Sequence, residues 1–333
     1  MYGMPRIVLL DPGIPVDASS QAKNIGDSII SEAINNILKD IFPNNEIVNI
    51  ASHKKRFNLK DLIYIKRADY VFIGGTNLLS NYTDRMNRPL RPNGRLDLVA
   101  PKLKNVILFG VGWGHGYGVK DIELQTIKFY RKIFKKGATH SVRDYYSETK
   151  MLNNDFDNVV NTNCPTMWEL NGLSLGIVKK PKKVIFTLTD YSKDYDNDGA
   201  LIDLLSNNFE HVFFFPQGSK DEAYLRLLEQ YQNNKDKITV IDRSLASYDK
   251  FIKNNEFVYI GTRLHGGIRC LQNNKPALIL SVDNRAESIS KDTHLPVVHR
   301  SDLATVESWL KGEKKFNKIK LNLEGINRFV GQF

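Results

Sequence analysis

Two cysteines, Cys164 and Cys270, are too few and too far apart in 333 residues for a disulfide framework, a CxxC pair or a zinc cluster. Both read as plain thiols, Cys270 on the buried face of a helix. No apolar run approaches the roughly eighteen residues of a membrane span. The opening Met1-Tyr-Gly-Met-Pro-Arg-Ile-Val-Leu-Leu10 enters a strand without the apolar core and cleavage site of a secretory leader. A place in the cytoplasm is therefore expected. No spacing gathers carboxylates and histidines as a metal site requires, so no metal is expected. Solenoid-length repeats and low-complexity tracts are missing too. With 41% hydrophobic and 25% charged residues, disorder is not expected.

What the chain has in excess is positive charge. Lys and Arg number 47 against 37 Asp and Glu, a formal net charge of +10, which points to acidic ligands or an anionic surface. The basic clusters His53-Lys-Lys-Arg56, Lys179-Lys-Pro-Lys-Lys183 and Lys311-Gly-Glu-Lys-Lys315 are short and lack interleaved aromatics. Specific nucleic-acid binding is not expected from them. Peripheral contact with the inner face of an anionic membrane fits them better.

Apolar strands alternate with amphipathic helices along both halves of the chain. Strands are expected at Pro5–Leu10, Glu46–Ile50, Tyr70–Ile73, Asn105–Phe109, Thr139–Val142, Lys183–Leu188, His211–Phe215, Ile238–Ile241, Phe257–Ile260 and Ala277–Ser281. Helices are expected from Ile29 to Ile41 with Asp27 or Ser28 as cap, and over 59–68, 122–134, 199–207, 222–231, 245–253 and 303–310. Gly172–Pro181 has the composition of a linker. This pattern predicts an α/β fold of two Rossmann-like parallel-sheet domains facing one another, residues 1–172 and 173–333. The function of the tail after Leu310 is not legible.

The chemistry-bearing residues fall after strands. Thr262-Arg-Leu-His-Gly266 follows Phe257–Ile260 and opens a helix, so Arg263 and His265 sit at a strand's carboxyl end and a helix's amino end. Ligands of open α/β sheets bind there, and free helix N–H groups favour phosphate or carboxylate. Arginine adds a planar fork and histidine a proton donor near neutral pH. The bland alternative is an Arg263 that pairs within the protein and a satisfied buried His265. Asn24-Ile-Gly-Asp27 occupies the first such loop, where Asp27 is either a cap or a site residue. Gly74-Gly-Thr-Asn-Leu78 follows the third strand. Gly110 to Gly118, with five glycines in nine residues, displays Trp113, His115 and Tyr117, which either pack on a sugar ring or pin the loop. That stretch has no Lys-Ser/Thr ending, so it is not a P-loop. A polar insert between Ser80 and Arg95 carries Asp84, Arg85, Arg88, Arg91 and Arg95. Arg143 and Asp144 follow the short strand at Thr139–Val142, with an Arg143 pair to Asp144 or Glu148 as the alternative. Asp283, Asn284 and Arg285 follow Ala277–Ser281.

Taken in order, Asn24-Ile-Gly-Asp27, Gly74-Gly-Thr-Asn-Leu78, Gly110-Val-Gly112, Ser141-Val-Arg-Asp144, Cys164-Pro165 and Thr262-Arg-Leu-His-Gly266 resemble the pattern of the polysaccharide pyruvyl transferase family from Asn24 to Arg285. The resemblance implies a two-lobed fold like that of the GT-B glycosyltransferases. It also implies transfer of the enolpyruvyl unit of phosphoenolpyruvate onto a sugar as a cyclic ketal, with no cofactor beyond that donor. On the resemblance Arg143, Arg263, Leu264 and His265 look like donor-binding residues. Asn24, Gly74, Gly75, Thr76, Gly112, Trp113, His115 and Arg285 join them as candidate substrate contacts. Three positions depart from the family pattern: Thr76 stands for a third glycine, Cys164 for an aspartate, and Arg285 for a lysine.

A donor with a carboxylate and a phosphate calls for at least two fixed cations, the role given to Arg143 and Arg263. His265 is the candidate general acid for the methylene carbon, and Asp27 or Asp144 the candidate base for a hydroxyl. The acceptor is expected to be a surface-glycan precursor on a membrane lipid diphosphate. Two other readings of the same residues stand: a GT-B-type glycosyltransferase using a nucleotide sugar, and a non-catalytic protein that binds sugar phosphates.

Overall fold

The computed structural model of the chain describes residues 6–16, 22–54, 57–81, 103, 105–114, 121–177 and 181–333. The chain forms two compact units. The first comprises Met1–Ala22, Ile30–Trp168 and Leu321–Phe333, the second Lys23–Ile29 and Glu169–Lys320. A single boundary after residue 172 therefore misplaces three segments, residues 169–172 among them. The tail belongs with the first unit, and the stretch that opens the first helix belongs with the second.

In the first unit, β1 (Ile7–Asp11), α1 (Ile25–Ile41), β2 (Ile47–Ala51), α2 (Leu59–Arg67), β3 (Tyr70–Gly74) and β4 (Val106–Phe109) follow one another. Their strands form a parallel sheet in the order β2-β1-β3-β4. Side chains alternate between its faces. Val8, Leu10, Val71, Ile73, Val106 and Leu108 enter one core. Ile7, Leu9, Phe72, Ile107 and Phe109 enter the other. Burial on both faces explains why these strands read as continuous apolar runs. Then come α3 (Leu124–Ile133), β5 (His140–Val142), α4 (Tyr145–Leu152) and β6 (Val159–Asn161), with β5 and β6 paired in parallel. His140 is buried on β5. Its Nδ1 accepts the Leu108 amide at 3.3 Å, and burial pulls its pKa down to about 4, so the ring stays neutral.

The second unit alternates β7 (Lys183–Thr187), α5 (Tyr195–Asn208), β8 (His211–Phe214), α6 (Asp221–Leu225), α7 (Glu229–Asn233), β9 (Ile238–Val240), α8 (Leu245–Asn254), β10 (Val258–Gly261), α9 (Leu264–Gln272), β11 (Ala277–Ser281), α10 (Asn284–Thr293), β12 (Val297–His299) and α11 (Leu303–Leu310). Its six strands run parallel in the order β12-β11-β10-β7-β8-β9. β7 and β10 thus lie together at the centre, and their carboxyl ends carry the turns that matter below.

The chain's last helix, α12 (Leu323–Val330), returns to the first unit. Phe329 lies 4.9 Å from Phe109 between ring centroids, and Phe333 lies 5.6, 5.5 and 5.3 Å from Phe42, Tyr70 and Phe72. Asn322 adds a bond from its amide to Asn163 Oδ1 at 2.7 Å and one from Nδ2 to the Asn161 carbonyl at 2.8 Å.

Three expectations need correction at the level of elements. The first helix begins at Ile25, and Asn24, not Asp27 or Ser28, caps it: Asn24 Oδ1 accepts the Gly26 amide at 3.0 Å. The helix expected over 222–231 is two short helices, α6 and α7. Tyr224, Leu225, Leu228 and Tyr231 keep a helical spacing of buried positions across the break, which is why the sequence reads as one. The strands β6 and β12 and the helices α10 and α12 were not anticipated.

Candidate functional site

In the second unit the carboxyl ends of β7 and β10 are tied together. The Arg263 amide donates to Thr187 Oγ1 at 3.1 Å, and Tyr259 Oη donates to the Arg263 carbonyl at 2.7 Å. Held this way, Arg263 occupies the N-cap position of α9 in extended conformation, without a side-chain cap bond, and Leu264 and His265 form the helix's first turn. Backbone N–H groups of that turn have no intrahelical acceptors. His265 is half-buried.

The Arg263 side chain is only 5% exposed in its residue and is already paired. Nε donates to Asp221 Oδ2 at 2.9 Å and to the Leu188 carbonyl at 3.3 Å; Nη2 donates to Asp221 Oδ1 and, at 2.8 Å, to Asp190 Oδ1. Burial works against the guanidinium charge, but the fork held by Asp221 outweighs it and keeps the arginine's pKa above its ordinary value. Nη1 has no hydrogen-bond partner among the described residues. The alternative raised from sequence, an arginine paired within the protein, is therefore what the structure shows of its charge. Any anion bound here meets Nη1 and the α9 amides rather than a bare cation.

Two further groups complete this edge. Arg285, in the first turn of α10, donates from Nε to Asp283 Oδ2 at 2.8 Å and from Nη2 to Tyr191 Oη at 2.6 Å. The Tyr191 ring lies under both arginines, 5.1 Å from the Arg263 guanidinium carbon and 5.8 Å from that of Arg285. On the other side, Asn24 pairs antiparallel with Gly218, and Asn24 Oδ1 accepts from Gln217 Nε2 at 3.0 Å. The Gly218 amide donates to Asp221 Oδ2 at 2.6 Å. The first and last motifs read from sequence thus meet in one unit through the Gln217-Gly218 turn. Asp27 lies half-buried in the first turn of α1, its amide bonded to the Asn24 carbonyl at 3.1 Å. Sequence reasoning missed Asp190, Tyr191, Gln217 and Asp221. Each follows β7 or β8, the one signal that pointed to them.

The remaining candidates gather in the first unit at the ends of β3, β4 and β5. Arg143, 3% exposed, donates from Nη2 to Asn77 Oδ1 and from Nε to Asp144 Oδ2 at 3.4 Å. A Cβ on Gly112 would collide with the Arg143 guanidinium, so only glycine lets the arginine lie across that turn. Asp144 is fully buried and caps α4, its Oδ1 accepting the Ser147 amide at 2.7 Å. With both oxygens engaged in this way it is poorly placed as a general base, contrary to the expectation from sequence. Trp113 is 1% exposed, packed in the core with the Lys150 ammonium 4.5 Å from its ring, and cannot offer a face to a sugar. His115, Tyr117 and the residues Asp84, Arg85, Arg88, Arg91 and Arg95 of the polar insert lie outside the described residues, as do Lys55, Arg56, Lys179 and Lys180 of the basic clusters.

Gly74 and Gly75 pack against α1, where a Cβ on Gly75 would strike Ile30. Gly75 and Thr76 are both left-handed, at φ 55° and 52°. A β-branched residue there is strained by about 1–2 kcal/mol. Thr76→Gly is expected to raise stability by about 1 kcal/mol, since the greater freedom of an unfolded glycine offsets only about 0.4–1 kcal/mol of the relief. Thermal unfolding checks this, and a lowered melting temperature would mean that the threonine side chain holds the turn.

Burial pushes the Cys164 thiol up and the Cys270 thiol up to about 12, so neither supplies a thiolate nucleophile. Among the described residues no three His, Cys, Asp or Glu side chains are placed to hold a metal ion, and no helix is long and apolar enough to cross a membrane.

Comparison with solved structures finds a UDP co-structure of S. aureus MnaA, at 12% identity over 98% of this chain and 96% of that one, with a TM-score of 0.50. A glycosyltransferase from Rickettsia africae ESF-5 matches at 14% identity over 93% of this chain and 89% of that one, TM-score 0.47. A UDP-N-acetylglucosamine 2-epimerase matches at 10% identity over 99% and 91%, TM-score 0.47. The fold is accordingly α/β and GT-B-like, with parallel sheets in both units. No curated protein sequence matches the chain. The sequence pattern of one family, polysaccharide pyruvyl transferase, matches residues 24–284, a span that contains Asn24, Arg143, Arg263 and His265. The chain therefore belongs to the polysaccharide pyruvyl transferase family, transferases of polysaccharide biosynthesis.

Proposed function

We propose that the chain moves the enolpyruvyl group of phosphoenolpyruvate onto two hydroxyls of one sugar, forming a cyclic pyruvate ketal and releasing phosphate. A proton adds to the donor's methylene carbon, and one sugar hydroxyl adds to the carbon that bears the phosphate. Phosphate then leaves, and a second hydroxyl closes the ring. The two hydroxyl protons lost by the sugar balance the one gained by the new methyl group and the one that leaves with phosphate. The observation that carries this reading is the family match, inside which Arg263, Leu264 and His265 stand at the amino end of α9. Nη1 of Arg263 and the first-turn amides suit the donor's anionic oxygens. His265, half-buried in the same turn, is the proton donor to carbon. Asp27 remains as base, and the same reading gives Arg143 a donor-binding role.

The acceptor in this reading is a glycan precursor on a membrane lipid diphosphate. Support comes from Lys311, Lys314, Lys315, Lys318 and Lys320, all exposed within ten residues of the second unit. The likeness to a chain solved with UDP makes UDP the control ligand. Phosphoenolpyruvate at 100 times its dissociation constant is expected to stabilise the native chain by about 2.7 kcal/mol, read as a raised melting temperature, while UDP and UDP-sugars leave it unchanged. A shift with UDP and none with phosphoenolpyruvate would transfer the assignment to nucleotide-sugar chemistry.

A further inference from the structure

A pyranose is held by polar groups that meet its hydroxyls and by an aromatic face that packs on its axial C–H groups. The loop expected to offer that face does not: Trp113 is in the core. In the second unit an exposed ring stands beside the candidate donor residues. Tyr191 is 61% exposed, yet three contacts fix it. The Arg263 and Arg285 guanidinium carbons lie 5.1 and 5.8 Å from its centroid, and Arg285 Nη2 donates to its hydroxyl at 2.6 Å. A ring fixed beforehand loses little freedom when a ligand lands on it. Its surroundings have the right chemistry. The Asp190 carboxylate, on the neighbouring residue, already accepts from Arg263 and is part-exposed, so it can accept from a hydroxyl as well. Four residues on, Tyr195 is exposed too, its ring set edge-on to Tyr224 at 5.7 Å. Exposed aromatic surface flanked by carboxylate and guanidinium groups suits a polyhydroxylated ring better than a purely apolar or purely anionic ligand.

We infer that Tyr191 is the platform on which a sugar ring of the acceptor rests, next to the anion-binding turn of α9. Its identity as the acceptor's ring rests on the pyruvyl-transfer reading; the platform itself does not.

The test uses the full chain and three probes: methyl β-D-galactopyranoside, methyl β-D-glucopyranoside and methyl N-acetyl-β-D-mannosaminide. Binding is followed by saturation-transfer NMR, and phosphate release from phosphoenolpyruvate is measured alongside. At least one glycoside is expected to bind the native chain. Tyr191→Phe and Tyr191→Trp, which keep an aromatic face but lose the hydroxyl, should bind it within about threefold of native, and Tyr191→Ala about tenfold or more weakly. If the residue serves only to hold Arg285, Phe and Trp will fail together with Ala and phosphoenolpyruvate affinity will fall in step, which overturns the platform. Native-like binding by Tyr191→Ala, or no glycoside binding to the native chain, overturns it as well. A glycoside that binds through Tyr191 but triggers no phosphate release removes the pyruvyl-transfer reading and leaves the platform standing.

Discussion

Arg263→Ala is expected to lower the stability of the chain by about 3–5 kcal/mol as well as to abolish transfer, because it leaves Asp221 buried without its partner. Asp221 loses a two-pronged contact and keeps only the Gly218 and Asp190 amides, which donate to it at 2.6 and 3.2 Å. The sign of the pH dependence follows. Burial already favours the protonated form of this carboxyl, and removing the guanidinium takes away the main group opposing that. The folded variant then binds a proton that the unfolded chain has lost, so its stability falls as pH rises above the ordinary carboxylate range. The deficit relative to the native chain should be larger at pH 7 than at pH 4. Asp221→Asn in the Arg263→Ala background should recover part of it at pH 7, since the orphaned charge is gone. Denaturant unfolding of the four proteins of this cycle measures both effects. A loss that is small and independent of pH would show that the pair is not held as described.

His265→Ala separates chemistry from stability. His265 stands in the first turn of α9 with its side chain half-buried. Its removal is expected to cost about 1 kcal/mol of folding stability, the centre of the range for single substitutions and well below the loss expected for Arg263→Ala. Phosphate release in the presence of an acceptor should nevertheless fall by about 10²–10⁴-fold, the usual worth of a positioned general acid. Melting temperature and single-turnover phosphate release, measured on one preparation, decide it. Turnover within a few-fold of native would take the proton-donor role from His265. The two residues lie two positions apart, and Arg263→Ala is expected to cost mainly stability where His265→Ala costs mainly rate.

How much of this was legible follows from where partners lie along the chain. The turn from β10 into α9 is written in five consecutive residues, and its placement needed only an apolar run, a glycine and a helix. The charge state of Arg263 was not legible, because Asp221 and Asp190 are 42 and 73 residues away and come from the ends of other strands. Strand order brings those residues together, and periodicity says nothing of order. Trp113 failed for the opposite reason. A glycine-rich setting suggests exposure, but α4 holds the residue in the core: its Ser147 Oγ accepts the Trp113 backbone amide at 2.9 Å, and its Lys150 ammonium lies 4.5 Å from the ring. Asp144 looked like a free carboxylate only because a helix cap and a catalytic base have the same side chain.

The second unit is, in chain order, an insertion between Trp168 and Leu321 of the first. In chain order Ile30, Ile34 and Leu38 of α1 already cover part of one face of the sheet of β1 to β4, and Phe329 and Phe333 complete that cover after the second unit has been made. The packing of the first unit's sheet is therefore complete only when the residues that follow the second unit are in place.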